Sequence, residues 1–365
     1  MNDERCKVSI ITVVYNGVRT IEQTIQSVIR QTYKNIEYIV VDGLSTDGTK
    51  DIIEKYGSFI HCYISEKDEG IYDAMNKGLN KATGDIVGII NSDDWYACDA
   101  VEAAVHSLMQ KDVDLVYGKV HLVMGDGNGK VISGVPLESI WYQMAAPHPT
   151  VFVKKKIYER YGLFDINYKY AADYDLLLRF FSEKVKFGYL DKVIAYFRYG
   201  GSTTVYQKEV YDEGYVISMS YIDKCKNKIQ VLPMIEENYQ WRCFVIDILK
   251  SGERLHQLLC KYFSGDVQDI IIFGTGDWGE KCYRVLSDEN VKVMCFADNN
   301  VSKWNTKMHG IRIINPDELC HLRAFVLIAV NEGWEEIRIQ LKNFGNKGLQ
   351  CVSVRELYNF DKRQE

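Results

Sequence analysis

Apolar and polar positions alternate along the first hundred residues in a pattern that changes period at regular intervals. Residues 8–14 (Val-Ser-Ile-Ile-Thr-Val-Val) form an almost unbroken β-branched run, which predicts a strand buried on both faces. A helix is expected from Thr20, where Gln23 completes a capping box and Ile21, Ile25, Val28 and Ile29 recur at helical spacing. A second buried strand over 36–41 ends at Asp42, and the turn-rich Asp42-Gly43-Leu44-Ser45-Thr46-Asp47-Gly48 leads to a helix stopping before Gly57. A third strand over 61–65 precedes a helix over about 71–82, closed near Gly84. A fourth, over 86–90, runs into Asn91-Ser92-Asp93-Asp94. This alternation predicts βαβ units and a mostly parallel sheet. Ligands of such sheets sit beyond the carboxyl ends of the strands, where Asp42, Asp68 and Asp93-Asp94 all fall.

After a strand-like run at 113–117 the pattern becomes irregular. A hairpin is expected around Gly125-Asp126-Gly127-Asn128-Gly129, an antiparallel segment at 147–153, and a helix beginning near Asp173 with Leu176, Leu177, Phe180 and Phe181. Two further runs, 185–189 and 193–198, read as strands ending at Gly200-Gly201. Residues 205–263 are helical in composition and read as a connecting arm. A fresh α/β pattern opens at Asp269, with strands expected at 270–273, 291–297, 324–330 and 349–354. The expected organisation is therefore an α/β domain over 1–204, a helical arm over 205–265 and a second, smaller α/β domain over 266–365.

Composition narrows the function classes. The 365 residues carry 44 Lys plus Arg against 50 Asp plus Glu, a net charge of -6, which argues against nucleic acid as a partner. The apolar runs fall far short of the roughly 20 residues of a membrane span, and Asn16, Arg19 and Glu22 interrupt any leader-like stretch. The 10 Cys are scattered without a C-x-x-C, as expected of reduced thiols in a cytoplasmic protein, with the inner face of a membrane as a compatible location.

The motifs taken together carry more than any one of them. Val13-Val14-Tyr15-Asn16, Val40-Val41-Asp42, Lys67-Asp68-Glu69-Gly70-Ile71-Tyr72-Asp73-Ala74-Met75-Asn76-Lys77-Gly78 and Asn91-Ser92-Asp93-Asp94-Trp95 resemble, in order and spacing, the family 2 glycosyltransferases of GT-A fold. The resemblance runs from about residue 8 to residue 204. It implies a nucleoside diphosphate sugar as donor, with Tyr15 and Asp42 near its base and Asp68, Asn76 and Asp93 lining its pocket. Asp93 and Asp94 match the position that holds a divalent cation, Mg or Mn, with Asp94 facing the metal. Adjacent carboxylates on a strand-end loop suit that task, because a cation there shields the charge that grows on the leaving diphosphate. Ala171-Ala172-Asp173-Tyr174-Asp175 resembles the family's acidic motif, which implies Asp173 as the base of an inverting transfer, although many relatives have Glu where Ala172 stands. His148, in Pro147-His148-Pro149-Thr150, is an acceptor-side candidate.

Each of these residues also has a plainer reading. Asn-Ser-Asp-Asp makes a turn and helix cap, Asp173 a cap, and Asp175 and Arg179 an i,i+4 pair. In the second α/β segment, Gly274-x-Gly276-x-x-Gly279 follows a strand and opens a helix, and Asp298 ends the next strand, the setting of a dinucleotide loop in the Rossmann-like domains found beside sugar-modifying enzymes. Asp277 opposes an incoming anion there, so NAD is not expected. Tyr358-x-x-x-Lys362 lies past the last expected strand and reads as a chance match to the dehydrogenase pair. The leading expectation is an inverting, metal-dependent transfer of a single sugar to a hydroxyl of a glycan or lipid-linked glycan, by a chain able to self-associate. A nicotinamide-dependent nucleotide-sugar oxidoreductase or epimerase working through the second domain, and a non-catalytic docking protein, stand as alternatives.

Overall fold

The computed structural model describes residues 6–124 and 129–364. They divide into two compact units, Met1–Tyr239 and Gln240–Glu365. The first unit begins with β1 (Val8–Val14), α1 (Ile21–Ile29), β2 (Ile36–Asp42), α2 (Thr49–Lys55), β3 (Cys62–Ser65), α3 (Ile71–Lys81) and β4 (Ile86–Asn91). It continues through β5 (Trp95–Tyr96), α4 (Ala100–Gln110), β6 (Leu115–Val123), β7 (Gly129–Ile132), β8 (Phe152–Lys154), α5 (Lys155–Tyr161), α6 (Ala172–Ser182), β9 (Phe187–Arg198), α7 (Ser202–Val205) and α8 (Gln207–Tyr221). Its strands form one mixed sheet in the order β3-β2-β1-β4-β8-β6-β9-β5, with β7 paired to β6. The β1–β2, β1–β4 and β2–β3 pairs are parallel, as the βαβ pattern predicts.

Alternate residues of the central strands feed two cores. Ile11, Val13, Ile39 and Val41 face one way, under Tyr72, Met75 and Leu79 of α3 and Leu177 and Phe180 of α6. Val8, Ile10, Val14, Tyr38 and Val40 face the other, under Ile21, Ile25 and Val28 of α1 and Val101, Val105 and Leu108 of α4. Strands clothed on both faces need the unbroken apolar runs seen at 8–14 and 36–41. Each fully buried Ile or Leu contributes about 1.5–3 kcal/mol.

Local differences from expectation have physical reasons. Thr20 precedes α1 but its side chain caps nothing, because its Oγ1 donates to the Gly17 carbonyl at 3.3 Å, so the expected capping box is not formed. The runs at 185–189 and 193–198 are one strand, β9, which follows β6 through register shifts around Lys119. The expected hairpin is present as antiparallel β6–β7 pairing, while its turn residues 125–128 lie outside the described residues. The first unit extends past residue 204 because α8 packs on α6: Ile217 is fully buried, and Ser218 Oγ meets the Tyr174 hydroxyl at 2.9 Å.

The unit boundary falls within α9 (Lys228–Lys250), and α10 (Gly252–Phe263) follows. The second unit then runs β10 (Asp269–Phe273), α11 (Asp277–Asp288), β11 (Lys292–Ala297), β12 (Lys307–Met308), β13 (Ile311–Ile314), β14 (Ala324–Ile328), α12 (Trp334–Asn343), β15 (Leu349–Ser353) and α13 (Val354–Asp361). Its sheet order, β12-β13-β11-β10-β14-β15, is parallel from β13 to β15. That is a doubly wound order, reversing direction between β10 and β14. Tyr358 is not in a loose tail: α13 carries it, 4% exposed, into the core against Trp241 and Phe244. All 10 Cys are free thiols. Among the described residues no helix is long and apolar enough to cross a membrane.

Candidate active site

The carboxyl ends of β1, β2 and β4 lie together because the strands are parallel and in register, Val14 opposite Asp42 and Val13 opposite Asn91. The loops after β1 and β2 are laced to each other. Asn16, at φ +51, donates its amide N–H to Ser45 Oγ at 2.8 Å, while its own Oδ1 accepts from the Thr46 amide at 2.9 Å. Tyr15 follows β1 directly and is 67% exposed, too open for a core aromatic.

Asp42 is fully buried at the end of β2. Its Oδ1 accepts from the Ser45 amide at 3.1 Å, and its Oδ2 from the hydroxyls of Ser65 at 2.8 Å and Tyr63 at 3.4 Å. These bonds tie the loop after β2 to the end of β3. Asp68 lies against the Gly43 backbone, its Oδ1 accepting from the Gly70 amide at 3.1 Å. A Cβ added at Gly43 would lie 2.4 Å from Asp68 Oδ2 and 3.4 Å from the Tyr15 ring, so the absence of a side chain at Gly43 is what brings Tyr15 and Asp68 together. Asn76 is engaged at both ends of its amide. Its Nδ2 donates to the Phe164 carbonyl at 2.9 Å, and its Oδ1 accepts from the Phe164 amide at 3.0 Å. It braces the 162–165 loop.

Past β4 the two acids differ. Asp93 is partly exposed, and a Cβ at Gly201 would come within 3.4 Å of its Oδ2, so the Gly200-Gly201 turn leaves its carboxylate room. Asp94 is fully buried. Its Oδ1 accepts from the Arg198 amide at 3.0 Å; its Oδ2 and the nearby-in-sequence Asn91 Oδ1 are buried without a hydrogen-bond partner. Burial first, and then the charge of Asp93, push the Asp94 carboxyl well above the usual carboxylate range. Burial also raises Asp93, against the pull of Arg198. Arg198 is itself fixed, its Nη2 donating to Gln23 Oε1 at 2.8 Å and its guanidinium lying 5.2 Å over the Trp95 ring. Orphaned buried carboxylate and amide oxygens form a hard, all-oxygen donor set, which fits a divalent cation such as Mg or Mn.

A second cluster lies where α3 meets α6. Asp173, in the first turn of α6, accepts at Oδ1 from the Tyr72 hydroxyl at 3.0 Å and from the Tyr174 amide at 3.0 Å. Burial, then the Asp173 charge, raise the Tyr72 phenol well above its ordinary value, so it stays protonated and donates. Phe164 stacks on Tyr72 with ring centres 5.5 Å apart, and the His148 ring meets Phe164 edge-on at 6.0 Å. Burial lowers the His148 pKa, with the Asp173 charge opposing it, which favours the neutral imidazole. Asp175 does pair with Arg179, at 2.9 Å, and also accepts from the Tyr221 hydroxyl.

Two residues that shape these clusters carry no recognisable motif. Arg198, beside Asp93 and Asp94, ends a strand, and Glu213, which accepts from the amides of residues 169–171 before α6, lies in α8. Tyr72 belongs to a quoted motif, but only the fold shows that its hydroxyl reaches Asp173, 101 residues away.

The comparisons agree with this architecture. The model of the family described as Glycosyl transferase family 2 matches residues 9–162. A PGL/p-HBAD biosynthesis glycosyltransferase of Mycobacterium tuberculosis is 30% identical over 212 residues, spanning 55% of this chain and 81% of the relative. The chain belongs to the family 2 glycosyltransferases. An uncharacterised glycosyltransferase of Rickettsia prowazekii is 33% identical over 186 residues, covering 48% of this chain and 58% of that protein. Among solved structures, S. aureus TarS residues 1–349 in complex with UDP-GlcNAc aligns with a TM-score of 0.53 at 21% identity, over 64% of this chain and 72% of that one. Mannosyltransferase PcManGT from Pyrobaculum calidifontis, in complex with GDP-Man and Mn2+, aligns with a TM-score of 0.52 at 19% identity, over 65% and 70%. Both share the fold of the glycosyltransferase.

The second unit matches a different model, described as C2185-like, N-terminal, over residues 267–349. Gly274 takes φ +107 after β10, and a Cβ at Gly279 would sit 1.9 Å from the Gly274 carbonyl oxygen, so the glycines let α11 close on the loop; at Gly276 the space is open. Asp298 accepts from the Thr275 amide and the Lys303 ammonium, both at 3.1 Å. Burial opposes ionisation of Asp298, but Thr275 and Lys303 together hold it below the usual range. Asp277 is paired with Lys281 at 2.9 Å on the helix surface.

Proposed function

We propose that this glycosyltransferase moves a single sugar, with inversion, from a nucleoside diphosphate sugar to a hydroxyl of a glycan or lipid-linked glycan, with Asp173 as the base. The observation that carries this reading is the placement of Asp173 at the start of α6, where Tyr72 from the α3 motif holds one of its carboxylate oxygens. The donor nucleoside lies against the exposed Tyr15 ring, with Asp68 beside it and Asp42 fixing the loop behind. Asp93 and Asp94, with Asn91, would hold a divalent cation, Mg or Mn. When bound, it supplies positive charge that shields the leaving diphosphate.

Asp173 takes the acceptor's hydroxyl proton as the acceptor oxygen attacks the anomeric carbon. The new glycosidic bond forms as the bond to the diphosphate oxygen breaks, so the anomeric configuration inverts. His148 is oriented by Phe164 on the acceptor side as a neutral hydrogen-bonding partner. Related proteins are consistent with this substrate class: one is named for PGL/p-HBAD biosynthesis, and two of like fold hold UDP-GlcNAc or GDP-Man with Mn2+. The Gly274-Gly276-Gly279 loop is not given a part in transfer, because Asp298, Thr275 and Lys303 satisfy one another there.

The test is to incubate the protein with UDP- and GDP-sugars and Mg or Mn, follow diphosphate release to water, and determine by NMR the anomer of any sugar transferred. Inverted product, with release lost in Asp173→Asn, supports the reading. Retained configuration, or full turnover in Asp173→Asn, overturns it.

A further inference from the structure

The segment leading into α6 is held by a carboxylate from another helix. Glu213 of α8 accepts from the Lys169 amide at Oε1 and from the Tyr170 and Ala171 amides at Oε2, each at 2.8 Å. These are three consecutive N–H groups just before α6, whose preceding residue Ala171 has no side chain able to cap it. The same segment is touched from the opposite direction. The Tyr72 hydroxyl that reaches Asp173 lies 3.1 Å from the Tyr170 carbonyl. The backbone of residues 169–171 is thus fixed by Glu213 through its amides and by Tyr72 through a carbonyl, two residues before Asp173.

We propose that Glu213 is a positioning residue for Asp173, acting through the backbone of residues 169–171. The proposal rests on the reading of Asp173 as the base. A carboxylate serves here because it accepts several N–H groups at once, and charge-assisted bonds of this kind are short and strong. An alanine at 213 leaves three amides beside α6 without partners and frees the segment to shift. Proton abstraction depends steeply on that position, since a displacement of about 1 Å can lower a rate by about 100-fold. Donor binding does not depend on it, because Tyr15, Asp68 and Asp93 are carried by other strands.

The experiment uses the full chain and places Glu213→Ala and Glu213→Gln in both the wild-type and the Asp173→Asn backgrounds. Thermal unfolding, donor KM and kcat are measured for each. In the wild-type background Glu213→Ala should lower kcat by about 10- to 100-fold while donor KM stays within about twofold. Glu213→Gln, which keeps one acceptor oxygen, should recover part of that loss. In the Asp173→Asn background the same substitution should change the residual kcat by less than about twofold, because the group it positions is already disabled. Equal losses in both backgrounds, or an unchanged kcat in the wild-type background, would overturn the proposal. If Glu213→Ala does not fold, Glu213→Gln carries the same two-background comparison. A fully active Asp173→Asn would instead remove the base reading itself, and this proposal with it.

Discussion

The Tyr72 hydroxyl stands 3.0 Å from Asp173 Oδ1, joining the first turn of α3 to the first turn of α6 across 101 residues of chain. Tyr72 is buried and Asp173 half-buried, with Phe164 stacked on Tyr72 and His148 edge-on to Phe164. The hydrogen bond restrains the carboxylate for which the base role is proposed.

Removing only that hydroxyl tests the relationship. Tyr72→Phe keeps the ring and its 5.5 Å stack on Phe164 but loses the donor. We expect kcat to fall by about 10-fold, in keeping with a charge-assisted bond worth about 1.5–3 kcal/mol, with the donor KM little changed. Steady-state kinetics of donor hydrolysis check this. A wild-type kcat would mean that the bond does not set the geometry of the base.

The cation reading makes a second prediction. Asp93 is the partly exposed acid and Asp94 the buried one with an unpartnered Oδ2, and the proposed cation would be held by both. Excess EDTA should abolish turnover, and added Mg or Mn should restore it. Asp93→Asn should lower kcat by about 100-fold or more while leaving the fold intact, as read by thermal unfolding. Undiminished turnover in EDTA would dismiss the cation.

A third outcome follows from His148. Burial lowers its pKa while the Asp173 charge raises it, so Asp173→Asn should lower it further. NMR titration of the His148 ring in the two proteins measures the difference. A pKa that rises, or does not move, would separate the two side chains.

Much of this was legible in the sequence, and the part that was not has a definite cause. β1 and β2 matched the β-branched runs because strands buried on both faces leave no polar positions to blur them. The order of Asp42, Asp68 and Asp93-Asp94 along the chain followed from parallel pairing, which puts successive strand ends at one edge. Which acid faces open space was not legible. Asp93 and Asp94 are adjacent and chemically identical, and only the pairing of the Arg198 amide with Asp94 decides between them. Glu213 was hidden for a related reason. Its partners are backbone amides, which leave no trace in residue type, and the sequence of α8 reads only as part of a helical connecting arm. β13 was missed because four residues are too short a run to show a period.

Away from the site, Glu37 gives a pH prediction. Its carboxylate, 8% exposed on β2, accepts from Lys7 Nζ, Ser9 Oγ and the Thr83 amide and hydroxyl at 2.6–2.8 Å. Burial alone would raise its pKa, but these bonds outweigh burial and bring it from 4.5 down to about 2. Because the folded value lies below the unfolded one, the stabilisation is full above about pH 4.5 and is lost as pH falls towards 2. The shift corresponds to roughly 3 kcal/mol. Glu37→Gln should therefore unfold at a lower temperature at pH 7 and approach the wild type near pH 2, as followed by circular dichroism. A constant gap at all pH values would contradict the titration.

The last prediction concerns where the transferase unit ends. A chain stopped at residue 204 loses α8, and with it Ile217 from the core, the Ser218 contact to Tyr174 and the Glu213 carboxylate that takes three amides before α6. Burial of one Ile accounts for about 1.5–3 kcal/mol, and the loss of three charge-assisted hydrogen bonds, two of them part-buried, adds about 1 kcal/mol or more each. Those losses rival the 5–15 kcal/mol that holds a typical domain together. A chain of residues 1–239 keeps every one of these contacts, together with the Ile222, Cys225, Val231 and Ile235 cluster. Residues 1–239 should therefore unfold cooperatively and release diphosphate from the donor, whereas residues 1–204 should not fold. Thermal unfolding and donor hydrolysis on the two truncations decide it. Activity in the shorter chain equal to that of the longer one would show that α8 is dispensable.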